Sequence, residues 1–224
     1  MLARDVMTTG VIAGTPSMSI HDVAKLMSDK GVSAVPIVDQ DDHVIGMVSE
    51  GDLLHRREIG TERRRSWWLD MVASTNRDAG DYIKSHSTHV ADVMVRDVIS
   101  VIEATPVADI ALLLENRRIK RVPVLRDGRL VGIVSRANLV HALAMTIDLL
   151  PSGAEAEDRR IRDKLLEELR RQRWAEVSPT NIIVKDGVVH SWCSYISERE
   201  KRALMVAAES IPGVRRVEDH MVPA

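Results

Sequence analysis

The chain has 224 residues, of which 45% are hydrophobic and 29% are charged, a composition typical of a globular protein with room for a sizeable core. A net charge of −2 argues against a general affinity for nucleic acid or anionic membranes, and no apolar run has the length of a transmembrane helix. The single cysteine, Cys193, excludes an internal disulfide framework and is typical of a reducing compartment, so we expect a cytoplasmic protein.

One pattern occurs twice in the first two thirds of the chain. A repeated supersecondary unit usually packs against its copy, because one copy alone cannot bury its apolar face. The clefts between such copies are places where small molecules bind. The recurring pairs of segments are Arg4-Asp5-Val6-Met7 with Ala91-Asp92-Val93-Met94, Val35-Pro36-Ile37-Val38 with Val122-Pro123-Val124-Leu125, and Gly46-Met47-Val48-Ser49 with Gly132-Ile133-Val134-Ser135.

Each copy predicts the element order β-α-β-β-α, with leading strands at 11–13 and 98–101. Ser19 and Asp22 form a capping box for the first helix of the first copy. In the second copy Thr105 is predicted to cap the helix, with Pro106 at its first position. Two strands follow and meet at a polar turn, which in the second copy contains the hairpin signal Asp127-Gly128.

These segments together resemble the cystathionine β-synthase (CBS) domain in tandem, an arrangement known as the Bateman module. The shared features are Asp-Val-Met, then Val-Pro before two hydrophobic residues, then Gly-hydrophobic-Val-Ser-x-x-(Asp/Asn)-Leu, and they cover residues 1–57 and 89–147. The resemblance implies an α+β fold in which two β-α-β-β-α units form a pseudo-twofold module. It also implies that an adenosine nucleotide (AMP, ADP or ATP) or S-adenosylmethionine binds between the copies as a regulatory ligand, and we expect no obligatory cofactor.

A strand runs into a helix at Ser49 and again at Ser135, where free backbone N–H groups and the helix dipole stabilise an anion. The resemblance assigns phosphate contacts to these serines and ribose contacts to Asp52 and Asn138. A Ser-x-x-Asp sequence is also a capping box, so the structural interpretation stays open. The full predicted nucleotide-binding set is Ser49, Asp52, Ser135, Asn138, Ser33, Ala34, Lys120, Arg121, Pro36 and Pro123.

The two clefts are not equivalent in sequence. Asn138 lacks the carboxylate charge of Asp52, so its hold on a ribose should be weaker, and we expect one cleft to dominate. Lys120 and Arg121 replace small residues of the first copy and could hold a polyphosphate. The same two residues are equally consistent with a solvated strand edge.

Residues 58–88 form a connector with the run Arg63-Arg64-Arg65-Ser66-Trp67-Trp68. Arg and Trp are enriched at interface hot spots, so Arg64, Trp67 and Trp68 predict a helix that covers the module or joins two protomers. Nucleic-acid binding is disfavoured because stacking aromatics are not scattered among the arginines. No metal site is predicted.

Residues 148–153 form a linker, and residues 154–224 predict a compact domain with the order α-β-β-α-β. Asp186-Gly187 in its hairpin and the segment 211–217 resemble the BON domain, although Ser191 and Cys193 depart from that family's pattern. The resemblance implies docking to a phospholipid surface or to a protein. Because a secretory signal is not evident, we favour a protein partner over peripheral membrane contact.

No nucleophile–base pair or Gly-rich phosphate loop is present, so we expect that the protein is not an enzyme. The favoured interpretation is a homodimeric regulatory sensor, which binds an adenosine nucleotide and relays its state to a regulated protein through dimer geometry or the BON domain. The alternative is a scaffold whose CBS pair is structural and whose BON domain binds phospholipid or protein. Asp52→Ala distinguishes the two interpretations.

Overall fold

The structure is a computed structural model that describes residues 1–54, 59, 61, 86–145, 154–175, 181–195 and 197–223. The helices are α1 (Ala3–Val6), α2 (Ile20–Asp29), α3 (Glu50–Leu53), α4 (Val90–Val93), α5 (Val107–Asn116), α6 (Arg136–Ala144), α7 (Glu155–Arg170) and α8 (Glu198–Glu209), with a 3-10 turn at Arg173–Ala175. The strands are β1 (Ala34–Val38), β2 (Val44–Ser49), β3 (Val101–Ile102), β4 (Arg121–Arg126), β5 (Arg129–Ser135), β6 (Asn181–Lys185), β7 (Val188–Trp192), β8 (Ser194–Tyr195), β9 (Arg216–Asp219) and β10 (Val222–Pro223). Among the described residues, no helix is both long enough and apolar enough to cross a membrane.

The chain divides into two compact units, Ile12–Val98 and Met1–Val11 with Ile99–Ala224. The leading segments are residues 3–8 of the first copy and 90–95 of the second. Each leading segment packs in the unit that holds the sheet of the other copy, so the two packing units do not coincide with the two sequence repeats. The predicted boundaries at 1–57 and 89–147 therefore describe the repeat in the sequence. In the fold, the two copies exchange their leading segments.

The first unit contains the antiparallel pair β1–β2, covered by α2 and α4. The predicted cap of α2 is confirmed, because the Ser19 side chain accepts from the main-chain N–H of Asp22 at 3.0 Å. Gly31 lies just past the helix with a φ of 61°, the left-handed position that ends many helices. The leading strand predicted at 11–13 is reduced to a single bridge between Gly14 and Ile37.

The second copy forms a three-stranded sheet, β3-β4-β5, packed against α5 and α6. The predicted cap by Thr105 is wrong: α5 begins at Val107 with Pro106 as its N-cap residue, and Thr105 Oγ1 accepts instead from the main-chain N–H of Ile102 at 3.2 Å. The turn at Asp127-Gly128 has positive φ values of 52° and 80°, as the hairpin signal predicts.

The exchanged leading segments fit against glycines of the opposite copy. Met7 lies over Gly132, and a Cβ added to that glycine would be 2.9 Å from Met7 Cγ. Met94 lies over Gly46 with the same separation. Both methionines are buried, at 5% and 7% exposure, so they have little room to withdraw. The repeated Asp-Val-Met and glycine motifs are thus two halves of one packing contact.

The C-terminal segment, residues 154–223, follows the predicted order α-β-β-α-β. Its sheet has the order β6-β7-β9, with β7 antiparallel to β6 and parallel to β9. One face packs on α7 and α8 around Leu165, Ile182 and Val189, each 0% exposed. Two short strands are additional to that order, β8 before α8 and β10 after β9, and they pair with each other.

Candidate functional site

In the first copy, β2 ends at Ser49 and the chain turns directly into α3. The main-chain N–H of Ser49 donates to Asp52 Oδ2 at 3.0 Å, and the Ser49 hydroxyl donates to the same oxygen at 2.8 Å. Both side chains are half-buried. The predicted capping arrangement is therefore formed, and it holds a hydroxyl and a carboxylate side by side at the strand end.

The other predicted residues of the first copy lie next to this pair. The main-chain N–H of Glu50 donates to the carbonyl of Ser33 at 3.1 Å, and Ala34 is the register partner of Ser49. Pro36 is buried farther along the same hairpin. The structure thus brings Ser33, Ala34, Ser49 and Asp52 together, with Pro36 part of the supporting hairpin.

The second copy repeats the plan with different chemistry. The main-chain N–H of Arg136 donates to the carbonyl of Lys120 at 3.1 Å, and Arg121 is the register partner of Ser135. Lys120 and Arg136 are exposed, and Pro123 is buried in β4. This strand end is cationic, whereas Glu50 and Asp52 make the first one acidic.

Asn138 is almost completely buried and bonds to other parts of the protein through both atoms of its amide. Its side chain is only 2% exposed, and its Oδ1 accepts from both the main-chain N–H and the hydroxyl of Ser135 at 2.7 Å. Its Nδ2 donates to the carbonyl of Val6 at 3.0 Å and to Thr8 Oγ1 at 3.1 Å. Val6 and Thr8 belong to the exchanged leading segment, so Asn138 fastens that segment to α6.

Thr8 bonds to Asn138 and was not among the residues predicted for the site. The available signal was its place directly after the repeated Asp-Val-Met motif. That motif does not reveal that the segment packs with the sheet of the other copy, so the proximity of Thr8 to Asn138 was not predictable. The interface residues Arg64, Trp67 and Trp68 fall outside the described residues, as does the linker 148–153.

A turn in the first copy brings together Asp39, Asp41 and His43, whose potential metal-ligating atoms lie within 4.8 Å of one another. Asp39 Oδ1 already accepts from the main-chain N–H groups of Asp41 and His43, at 2.9 Å each. These bonds, with that of His43 the largest contribution, lower the pKa of Asp39. The cluster is explained as a hydrogen-bonded β1–β2 turn, and we assign no metal to it.

Comparisons with known proteins match the repeat. The model of the CBS domain family matches residues 3–58 and 90–145. The chloroplastic CBS domain-containing protein CBSX2 of Arabidopsis thaliana is 32% identical over 133 residues, covering 57% of this chain and 56% of that protein. An uncharacterized protein of Methanocaldococcus jannaschii is 30% identical over 156 residues, covering 64% of this chain and 91% of its own length.

A solved structure supports the same fold. The crystal structure of CBSX2 in complex with AMP superposes with a TM-score of 0.56 at 30% identity, covering 64% of this chain and 96% of that one. The present chain spans about half the length of the Arabidopsis relative, since 56% of that protein is covered. The match to the family model ends at residue 145, so the C-terminal segment lies outside it.

Proposed function

The chain belongs to the CBS domain family, and on that basis we propose that it is a regulatory sensor that binds an adenosine nucleotide at the Ser49–Asp52 site. The observation that carries the proposal is the paired hydroxyl and carboxylate at the end of β2, held by hydrogen bonds of 2.8 and 3.0 Å. The relative CBSX2 supports it, because its crystal structure contains AMP.

Each group of the site suits one part of a nucleotide. An ionised carboxylate only accepts hydrogen bonds, so Asp52 can receive both hydroxyls of a ribose. The Ser49 hydroxyl and the backbone N–H groups after it donate to a phosphate. Ala34 and Pro36 are buried on the adjacent strand β1, where they support this strand end.

The regulatory part of the proposal follows from linkage. A bound nucleotide shifts a conformational equilibrium only by the difference in its affinity for the two states. We place the output of that shift in a homodimer and in the C-terminal segment, which we propose to be a BON domain that docks on a protein partner. In this account the protein has a regulatory role and no catalytic one.

A scaffold without a ligand is the second candidate, and one observation favours it. Asp52 Oδ2 accepts hydrogen bonds from the main-chain N–H and the hydroxyl of Ser49, as the third helical residue of a capping box does. These bonds give the carboxylate a structural role without a nucleotide. In that case the CBS pair holds the fold together and the C-terminal segment alone binds phospholipid or protein.

A thermal-shift panel with AMP, ADP, ATP, S-adenosylmethionine and GMP separates these functions. A ligand at a hundred times its Kd adds about 2.7 kcal/mol to the native state, which raises Tm by several degrees. We expect adenosine compounds to raise Tm in the parent protein and in Asp22→Ala but not in Asp52→Ala. Asp22 is a matched control because it pairs with the cap residue Ser19 at 2.7 Å as Asp52 does with Ser49. A panel in which no adenosine compound raises Tm contradicts the proposal and favours the scaffold.

A further inference from the structure

Two arginines of the C-terminal segment hold the leading segment of the first copy. Arg159 Nε pairs with Asp5 Oδ1 at 2.9 Å, and Arg162 Nη2 donates to the carbonyl of Met7 at 2.9 Å. Arg162 is only 4% exposed and also donates from Nε to the carbonyl of Ile182 at 2.7 Å. One buried guanidinium therefore joins the leading segment to β6.

Asn181 extends this contact to the second copy's predicted ribose ligand. It is 5% exposed, and its Nδ2 lies 3.4 Å from Thr8 Oγ1, which also accepts from Asn138 Nδ2 at 3.1 Å. A primary amide has two donor hydrogens and an oxygen with two lone pairs. All four are used on Asn138, by Val6, Thr8 and the two groups of Ser135. A ribose hydroxyl can bond to Asn138 only if one of these contacts breaks.

Apolar packing reinforces the same contact. Ile183, on the face of β6 opposite α7, is fully buried in the core that also contains Val6, Met7 and Val122 of the second-copy sheet. The ring of Trp192 stacks on that of His141 in α6, with a centroid separation of 4.5 Å. The C-terminal segment thus covers the sheet and helix that present Asn138.

The leading segment that packs on the first copy's sheet has a different residue at the corresponding place. Val95 follows Met94 as Thr8 follows Met7, and its side chain is 45% exposed and carries no hydrogen-bonding group. Asp52 also differs from Asn138, because a carboxylate cannot donate to a carbonyl as Asn138 does to Val6. Val95 therefore cannot form a side-chain hydrogen bond to Asp52 as Thr8 does to Asn138.

We propose that the C-terminal segment closes the second copy's ribose site, so that the chain takes one adenosine nucleotide, at the Ser49–Asp52 site. In this arrangement Asn138 joins the leading segment to α6, and Arg162 and Asn181 are positioning residues that keep that segment in place. This inference rests on the proposed function. It adds the number of nucleotides bound and the role of the C-terminal segment in setting it.

Equilibrium dialysis of the full chain against labelled AMP tests the stoichiometry. We expect one AMP per chain in the parent protein and none in Asp52→Ala. In Asn138→Ala we expect one AMP bound with unchanged affinity, and a lower Tm because the leading segment is held less firmly. Two AMP per chain, or AMP affinity lowered more than threefold by Asn138→Ala, overturns this inference and leaves the proposed function intact. Absence of AMP binding in the parent protein overturns the proposed function together with this inference.

A second comparison tests the role of the C-terminal segment. The double variant Arg159→Ala/Asn181→Ala keeps the buried Arg162. In this variant we expect faster hydrogen exchange at the main-chain amides of Met7 and Thr8. We also expect a second AMP molecule to bind per chain, with lower affinity than the first. The matched control is Arg160→Ala/Arg171→Ala, because Arg160 lies on α7, Arg171 is its C-cap residue, and within the described ranges their ion pairs are with glutamates of that helix. Exchange and stoichiometry equal to those of the control overturn the inference.

Discussion

Arg162 Nη2 donates to the main-chain oxygen of Met7 at 2.9 Å across 155 residues of sequence. Burial lowers the pKa of Arg162 to about 10, so the guanidinium remains charged at neutral pH. The carbonyls of Met7 and Ile182 accept hydrogen bonds from it, and the nearby carboxylates of Asp163 and Asp5 favour its charge. This contact joins the C-terminal segment to the repeat and is the basis of the first prediction.

Arg162→Leu should lower the free energy of unfolding by about 2–4 kcal/mol, because two buried carbonyls lose their hydrogen-bond donors. Urea denaturation monitored by circular dichroism measures the change. Arg160→Leu on the same helix serves as the control, since its side chain is 73% exposed and pairs with Glu157 on the helix surface. The control should change stability by less than about 0.5 kcal/mol. Equal effects of the two variants would show that the buried contact contributes little.

Gly132→Ala and Gly46→Ala should each cost about 1–3 kcal/mol, because the added methyl group meets a buried methionine at 2.9 Å or closer. Gly51→Ala is the control, since the nearest atom to its added Cβ is Ser49 Oγ at 3.6 Å. Thermal unfolding of the three variants measures the difference. Similar Tm values for all three would contradict the packing of the leading segments described above.

Arg118→Gly should stabilise the protein by about 0.5–1 kcal/mol. Arg118 follows α5 with a φ of 53°, the left-handed position that Gly31 occupies with a φ of 61° after α2. A side chain is strained there and a glycine is not, although glycine also gains entropy in the unfolded chain. Arg117→Gly, at a φ of −87°, should instead destabilise. Chemical denaturation compares the two, and a loss of stability in Arg118→Gly contradicts the prediction.

Stability should fall as the pH drops below about 6.5, the ordinary pKa of histidine. Burial, and secondarily the charge of His220, lowers the pKa of both His141 and His190. Other charged groups near His190 are Glu218, which raises its pKa, and Arg216, which lowers it. The folded state therefore prefers neutral imidazoles, and the stability that they confer is complete above the unfolded pKa and is lost as the pH falls toward the folded value.

Urea denaturation at pH 7.5 and 5.5 measures this loss, in a range above that in which carboxylates titrate. His141→Gln should reduce the difference between the two pH values, because His141 stacks on Trp192 and its Nδ1 has no hydrogen-bond partner within the described part of the chain. A parent protein that is equally stable at both pH values contradicts the prediction.

The local structure was largely predictable from sequence, because capping residues and turn signals act over a few positions. Ser19 caps α2 as the pattern indicates, and Asp127-Gly128 and Asp186-Gly187 form the predicted hairpins. Thr105 failed as a cap because Pro106 takes the N-cap position and the Thr105 hydroxyl accepts instead from the main-chain N–H of Ile102.

The long-range contacts were not predictable, since sequence spacing does not reveal which sheet a segment joins. Asn138 matches the pattern of a weaker ribose ligand, yet its donors are used 132 and 130 residues away, on Val6 and Thr8. Arg162 belongs to a helix with many charged residues, and its burial depends on the contact of β6 with the leading segment. The first-copy site was easier to predict because Ser49 and Asp52 are three residues apart and bond directly.

The most direct test of nucleotide binding is a crystal structure of the full chain grown with AMP. We expect one AMP per chain, with its ribose hydroxyls about 2.7 Å from the Asp52 carboxylate and its phosphate beside Ser49. It also predicts that Asn138 keeps its bonds to Val6 and Thr8. AMP bound at Asn138 with the Asp52 site empty, or crystals free of AMP at saturating concentration, would contradict the account.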